Sequence, residues 1–290
     1  MAVYNQLNKR HDYLICIDSD GCAMDTMKCE HFHCYGPCMV MEWELDQWRV
    51  EILERWNEIN LFQMTRGINR YKALALALSE VDENFVTIPG VQTLKAWAEN
   101  VDQLSSDALQ AAIAITPDLE GKECLRKAMA WSEAVNNNIL MLPDDLKPPF
   151  RGVKKALVAS RVMADIVVIG DNRDKVNQEW NACSFMMYVD SVFTRDQGGL
   201  DACLTKAEKL GYDPGHILLV GDTPIDLQMA EEKGICFYPI LVGHEKQSWF
   251  EFVDRGLEWL TSGDYDAYQF EKKAQFLKNL SEDDQKVEIS

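Results

Sequence analysis

The chain has 290 residues, of which 47% are hydrophobic and 26% are charged, a composition typical of globular proteins. Its 47 acidic residues outnumber 29 basic ones, and the resulting net charge of -18 argues against nucleic acid and anionic membranes as partners. No stretch approaches the ~20 apolar residues that a membrane span requires, and the polar first residues lack the apolar core of a signal peptide.

The nine cysteines indicate where the protein works. An odd number of cysteines in a chain without an export signal predicts reduced thiols, and therefore a cytoplasmic protein. An anionic substrate would meet an acidic surface, so local positive charge is needed to hold it. A bound metal cation is one source of that charge.

The first predicted strand ends in two carboxylates. The apolar run at 14–17 leads into Asp18, and Asp20 and Gly21 follow directly. Clustered carboxylates repel each other unless a cation neutralises them, and Mg²⁺ prefers such oxygen ligands. Gly21 allows the chain to turn sharply after them.

Residues 26 to about 145 show almost no strand signal. Helical patterns fill this region, and a proline-rich segment at 141–150 predicts a return to the sheet. We therefore expect residues 26–149 to form an all-helical domain inserted after the first strand. The helical patterns lie at 44–59, 71–81, 91–101, 105–115 and 121–135.

Strands and helices alternate from residue 150 onward, which predicts an α/β fold with a parallel sheet. Four apolar runs continue the sheet, at 164–172, 188–196, 216–224 and 234–243. We expect a Rossmann-like core formed by residues 1–25 and 150–250. Residues 251–290 are expected to form a helical extension with a flexible tail.

A second pair of carboxylates follows a later strand. Asp222 comes directly after the apolar run at 217–220, and Asp226 lies four residues further on. Because ligands bind beyond the carboxyl ends of parallel strands, both aspartate pairs are expected to meet at one sheet edge. Asp226 also has a structural alternative, since with Thr223 it forms a capping-box pattern at a helix start. Both roles are compatible.

The motifs "DSDG" and "GDTPID", each after an apolar strand, resemble those of the haloacid dehalogenase superfamily. The resemblance implies a Rossmann-like core with a helical cap and a Mg²⁺-dependent phosphatase activity. It implies that Asp18 is the nucleophile and Asp20 the general acid and base. The metal ligands implied are Asp18, the backbone carbonyl of Asp20, Asp222 and Asp226.

The resemblance also directs attention to the phosphate-binding positions. The family has a Ser or Thr at the end of the second core strand, where this chain has Gly170, Asp171 and Asn172. The Asn172 amide and the loop backbone are the remaining donors there. Near the position of the family's lysine stand Gln197 to Leu200, and Arg195 is the nearest cation upstream. Without the family's hydroxyl and lysine donors, the protein would be a slow enzyme, an enzyme for an unusual substrate, or a protein that binds a ligand without turnover.

A basic segment, "TRGINRYK", stands out in the acidic helical insert. The spacing of Arg66 and Arg70 predicts that they share one helical face. They are candidates for contacting an anionic substrate, and surface ion pairing is the alternative.

Cysteines and histidines are concentrated at residues 22–38. Zinc binding is one interpretation, although the spacing lacks a paired C-x-x-C. Buried thiols at the exit from the core are the other.

The sequence as a whole favours a cytoplasmic, Mg²⁺-dependent hydrolase of the haloacid dehalogenase type acting on a small phosphorylated metabolite. An alternative is a catalytically impaired relative that binds a phosphorylated ligand or a partner. A third reading is a sugar phosphomutase using the same aspartates.

Overall fold

The computed structural model describes residues 7–281, and these form two compact units. One unit contains the chain up to Met27 together with the residues from Asp144 onward, and the other is Lys28–Pro143. The tail expected to be flexible lies, from residue 282 on, outside the described residues.

The first unit contains a five-stranded parallel sheet in the order β3-β2-β1-β4-β5, which confirms the predicted α/β fold. Each strand is a short, nearly continuous apolar run, as expected where helices cover both faces of a sheet. β1 lies in the centre of the sheet, so the aspartate motif that follows it lies at the middle of the carboxyl edge. The strands are β1 Tyr13–Asp18, β2 Ala164–Gly170, β3 Ser191–Thr194, β4 Ile217–Gly221 and β5 Cys236–Pro239.

Helices of the second unit occupy the region in which the sequence shows no strand signal. Their apolar faces meet in a core that includes the fully buried indoles of Trp56 and Trp131. The helices from residue 26 to residue 141 are α1 Thr26–Glu30, α2 Gly36–Glu42, α3 Arg49–Asn57, α4 Arg70–Asn84, α5 Val91–Asn100, α6 Ser106–Ile115 and α7 Leu119–Met141. Within residues 7–281, no helix combines the length and the apolar character needed to cross a membrane.

The helices after the insert alternate with the strands and then continue beyond the sheet. They are α8 Val153–Ser160, α9 Arg173–Ala182, α10 Gly199–Lys209, α11 Pro224–Lys233, α12 Glu245–Glu251, α13 Leu257–Ser262 and α14 Tyr265–Ser281. α14 packs on the edge strand β5. The Phe237 N–H donates to Gln269 Oε1 at 2.6 Å and the Tyr265 hydroxyl donates to the Phe237 carbonyl at 3.1 Å. These bonds satisfy backbone groups that an edge strand would otherwise expose.

The segment before β1 is fastened to the amino edge of the sheet by a buried carboxylate. Asp165, fully buried, accepts hydrogen bonds from the backbone N–H groups of Arg10 and His11 at 2.8 and 3.0 Å. The Tyr212 hydroxyl donates to the same carboxylate at 2.5 Å. Burial alone would raise the pKa of Asp165, but these donors outweigh it and hold the pKa below its usual value.

Candidate metal and catalytic site

Three carboxylates converge at the carboxyl edge of the sheet. Asp18 is the last residue of β1, Asp222 follows β4, and Asp226 lies in the first turn of α11. One oxygen from each of them lies within 4.8 Å of the others. Within residues 7–281 this is the group of histidine, cysteine and acidic side chains close enough to hold a metal ion. Its donors are all oxygens, which suits a hard divalent cation such as Mg²⁺.

The crowding of negative charge affects the pKa of Asp18. Its pKa lies well above the usual range, first because the carboxyl is buried and then because Asp226, Asp222 and Asp20 are close. In the metal-free protein the group is therefore held protonated to higher pH than an ordinary aspartate. A cation between the carboxylates would remove this penalty.

Asp226 has both of the roles that the sequence suggests. Its Oδ2 accepts hydrogen bonds from the N–H groups of Asp222 and Thr223 at 3.2 and 3.0 Å, and from the Thr223 hydroxyl at 2.7 Å. The Thr223 hydroxyl also accepts from the Asp226 N–H, which completes a capping box. The capping bonds therefore fix the Asp226 carboxylate within the cluster of Asp18, Asp222 and Asp226, which we call the acidic group.

Gly221 makes room for this arrangement. A Cβ at this position would lie 2.6 Å from both Cβ and Cγ of Asp226. Only a glycine therefore lets the aspartate fold back onto the end of β4.

We expect Gly221→Ala to weaken Mg²⁺ binding by about 10- to 100-fold, because the added methyl displaces the hydrogen-bonded Asp226 carboxylate. Overpacking of this kind costs about 1–3 kcal/mol of unfolding free energy as well. Calorimetric titration with Mg²⁺ and a thermal melt measure the two effects. Gly215→Ala, at the other end of β4, is the matched control, since its nearest neighbour is Asp213 Oδ1 at 3.3 Å. Equal Mg²⁺ affinity in the two variants would contradict this assignment.

Asp20 stands beside the acidic group with two donors of its own. Its Oδ1 lies 2.9 Å from Lys175 Nζ and accepts from the Thr26 hydroxyl at 2.6 Å. Burial raises the pKa of Asp20, but Lys175 and Thr26 outweigh it and lower the pKa below its usual value. Gly21, which follows, has a φ of 79° that favours glycine.

Lys175 was not among the residues that the sequence singled out. It lies in the first turn of α9, where a lysine has no special significance. Asn172 begins this helix, because its Oδ1 accepts from the N–H groups of Asp174 and Lys175 at 2.9 and 3.1 Å. The Asn172 side-chain oxygen is therefore used as a helix cap, and its role as a phosphate donor stays a prediction.

A glycine brings α9 close to the end of β2. A Cβ on Gly170 would lie 2.4 Å from Val176 Cγ2, so a serine or threonine there would collide with the helix. At the other end of α9, Trp180 Nε1 donates to Ser19 Oγ at 2.9 Å. These contacts set the position of α9 relative to the Asp18 and Asp20 motif.

Arg195 lies just after β3 and pairs with Asp171, with 2.8 Å between Nε and Oδ1. Its side chain is 75% exposed, so solvent weakens its influence. The pKa of Arg195 is nevertheless raised, because Asp171, Asp18, Asp20 and Asp226 outweigh its desolvation. Arg195 therefore lies near the acidic group and partly neutralises the charge of Asp171. Its role in phosphate binding stays a prediction.

Arg66 and Arg70 do not share a helical face, and that part of the prediction is wrong. Gly67, with a φ of 77°, and the helix cap Asn69 separate a turn containing Arg66 from α4, which begins at Arg70. Arg66 is buried and donates to the Leu61 carbonyl at 2.8 Å. Their role in substrate binding stays a prediction.

Arg70 is tied into the helical unit by neutral acceptors. It donates to the Tyr35 hydroxyl at 2.9 Å, to Asn136 Oδ1 at 2.7 Å and to Ser132 Oγ at 3.3 Å. His31 stacks on Tyr35, and its Nδ1 accepts from Trp56 Nε1. Burial first, then Arg66 and Arg70, lower the pKa of His31 to about 3, so this ring is neutral.

The cysteine- and histidine-rich stretch at 22–38 forms no metal-binding group within the described residues. Its four cysteines are buried and in no disulfide, as the alternative interpretation predicted. They are Cys22, Cys29, Cys34 and Cys38.

No protein-family model matches the chain. No curated protein matches it either. Solved structures, by contrast, resemble it over most of its length, with TM-scores below 0.5 and low identities, so the functional argument rests on the site itself.

Three of these structures illustrate the range of identity, coverage and TM-score. A haloacid dehalogenase-like hydrolase from Xanthomonas campestris is 10% identical, with 92% of this chain and 98% of that chain covered and a TM-score of 0.46. A haloacid dehalogenase-like protein from Streptococcus pneumoniae is 12% identical, with coverages of 86% and 97% and a TM-score of 0.42. A subfamily IA hydrolase from Geobacter sulfurreducens is 15% identical, with coverages of 80% and 90% and a TM-score of 0.38. All three are hydrolases of the haloacid dehalogenase type, and the similarity of this chain to them concerns the fold alone.

Proposed function

We propose that the protein is a Mg²⁺-dependent phosphatase that hydrolyses a small phosphate ester through an aspartyl-phosphate intermediate. The observation that carries the proposal is the convergence of Asp18, Asp222 and Asp226 within 4.8 Å, with Asp20 beside them. The pair Asp18 and Asp20 lies about 200 positions before the pair Asp222 and Asp226 in the sequence, and the capping role of Asp226 does not explain why the pairs meet. None of the nine cysteines, all of which lie within the described residues, is in a disulfide, which supports a cytoplasmic location.

The three converging carboxylates are the residues that would hold the metal ion. Their oxygen donors and their crowded negative charge both fit Mg²⁺. When bound, the ion supplies positive charge that allows the carboxylates and an anionic phosphate to occupy one site. The remaining chemistry belongs to the side chains of the chain.

In the first half of the reaction, a carboxylate oxygen of Asp18 attacks phosphorus, and the bond from phosphorus to the leaving oxygen breaks. Asp20 donates its proton to that oxygen, and the alcohol departs. The products of this half are the free alcohol and a phosphorylated Asp18. The Lys175 contact lowers the pKa of Asp20, so this step requires the contact to change or a leaving group that needs little protonation.

In the second half, Asp20 acts as the base. Its carboxylate accepts a proton from water, the water oxygen attacks phosphorus, and the bond to Asp18 breaks. Inorganic phosphate leaves and both aspartates return to their starting states. The lowered pKa keeps Asp20 ionised, as a proton acceptor must be, and makes it a weaker base than an ordinary aspartate.

A substrate panel tests the proposal. We expect release of inorganic phosphate from p-nitrophenyl phosphate and from at least one metabolite ester in Mg²⁺, and loss of this release when EDTA is added. Absence of release across a wide panel, with Mg²⁺ binding confirmed by calorimetry, would show a protein that binds without turnover. Transfer of phosphate between sugars without free phosphate would identify a phosphomutase instead.

A further inference from the structure

A phosphate ester brought to this site needs positive charge from side chains as well as from a metal ion. Four carboxylates surround the position, and the transferred phosphoryl group is itself anionic. Two cations of the same unit lie near these carboxylates: Lys175 contacts Asp20, and Arg195 acts on Asp18, Asp20 and Asp226. Their surroundings decide which of them is suited to bind the phosphoryl group.

Lys175 has the better position. Its Nζ lies 2.9 Å from Asp20 Oδ1, and its side chain is only 22% exposed. Arg195 is 75% exposed and is engaged by Asp171. Because solvent screens an exposed charge strongly, the ammonium of Lys175 is the less screened of the two cations.

The packing of α9 explains how this lysine reaches the site. The missing side chain of Gly170 lets Val176 approach the end of β2, and Trp180 fixes the helix to Ser19. Lys175 precedes Val176 in the first turn, where the helix begins on the Asn172 cap. Gly170, which offers no hydroxyl donor at the end of β2, thus also lets the helix that carries the lysine pack closely.

We propose that Lys175 is a catalytic residue that binds the phosphoryl group, moving from Asp20 to the phosphate oxygens when substrate binds. The proposal rests on the proposed phosphatase function. Nζ lies 2.9 Å from the proton donor for the leaving oxygen, so the lysine stands beside the edge at which the phosphoryl group would bind.

The test compares Lys175→Met with Lys175→Arg, using p-nitrophenyl phosphate turnover and calorimetric binding of inorganic phosphate, both in Mg²⁺. We expect Lys175→Met to lower kcat/KM by about 10²–10³ and to weaken phosphate binding at least ~10-fold, with partial rescue by arginine. Lys206→Met, on the exposed side of α10, is the matched control and should equal the wild type. Arg195→Met should lose less than Lys175→Met.

An Asp20→Asn background separates binding of phosphate from an effect on Asp20. If Lys175 binds the phosphoryl group, Lys175→Met weakens phosphate binding in this background too. Unchanged phosphate affinity there, in variants whose melting temperatures match their parents, would overturn the proposal. A wild type that hydrolyses no ester would contradict the proposed function, and the phosphate titrations would then decide the role of Lys175 alone.

Discussion

Asp18→Asn is expected to abolish phosphate release, lowering kcat by about 10⁴–10⁶. An amide cannot form the aspartyl phosphate, and what remains is the smaller contribution of binding and electrostatic stabilisation. Asparagine has nearly the shape of aspartate, so the strand end should be preserved. Steady-state assays with p-nitrophenyl phosphate in Mg²⁺ measure the loss, and a thermal melt verifies the fold.

The substitution also removes one of several repelling charges, so it should affect the stability of the metal-free protein as well. Because Asp226, Asp222 and Asp20 all raise the pKa of Asp18, replacing it with a neutral amide should leave the metal-free protein at least as stable as the wild type at pH 8. Asp12→Asn, at the other end of β1 and exposed, is the matched control and should keep full activity. Turnover by Asp18→Asn within tenfold of the wild type would exclude Asp18 as the nucleophile.

The parts of the site that follow strand ends could be predicted from the sequence. Apolar runs ending in Asp18 and just before Asp222 identify strands, and parallel strands bring their carboxyl ends to one edge. The capping box at Thr223 and Asp226 is a local pattern within four consecutive residues, so it too could be predicted from the sequence. These inferences depend only on periodicity and on nearby residues.

The cation at the site could not be predicted in the same way. Whether Lys175 points toward Asp20 or toward solvent depends on how α9 is rotated and on how closely it packs. Contacts distant in sequence fix both, namely Gly170 against Val176 and Ser19 with Trp180. The family resemblance points to the segment before α10, where Arg195 lies. The less exposed cation, Lys175, lies on α9 instead.

Helix boundaries explain the error at Arg66 and Arg70. A spacing of four predicts a shared face only if both residues lie in one helix. Gly67 and Asn69 are a turn residue and a helix cap, and both were visible in the sequence as signals that the helix begins later. The long helix α14 lies within the helical extension expected from the sequence, and its Tyr265, Tyr268 and Phe276 are buried at helical spacings on one face.

Mg²⁺ is expected to stabilise the wild type against heat, and to do so more strongly at pH 8 than at pH 5. Asp18 has a raised pKa in the folded, metal-free protein, so the folded state binds its proton more tightly than the unfolded chain does. Stability from this group is therefore greatest at low pH and falls as pH rises from about 4 through the raised pKa. Mg²⁺ competes with that proton, so the ion binds best where the carboxyl is ionised.

Melting temperatures measured at the two pH values, with Mg²⁺ and with EDTA, give the comparison. At a free concentration of 100 times the dissociation constant, binding adds about 2.7 kcal/mol to the unfolding free energy. Asp222→Asn should remove most of the Mg²⁺ effect at pH 8, because it deletes the charge of a buried carboxylate in the acidic group. Asp213→Asn, before β4 at the opposite edge, is the control and should retain the effect. A Mg²⁺-induced shift that is equal at both pH values, or that survives in Asp222→Asn, would mean that the ion binds elsewhere.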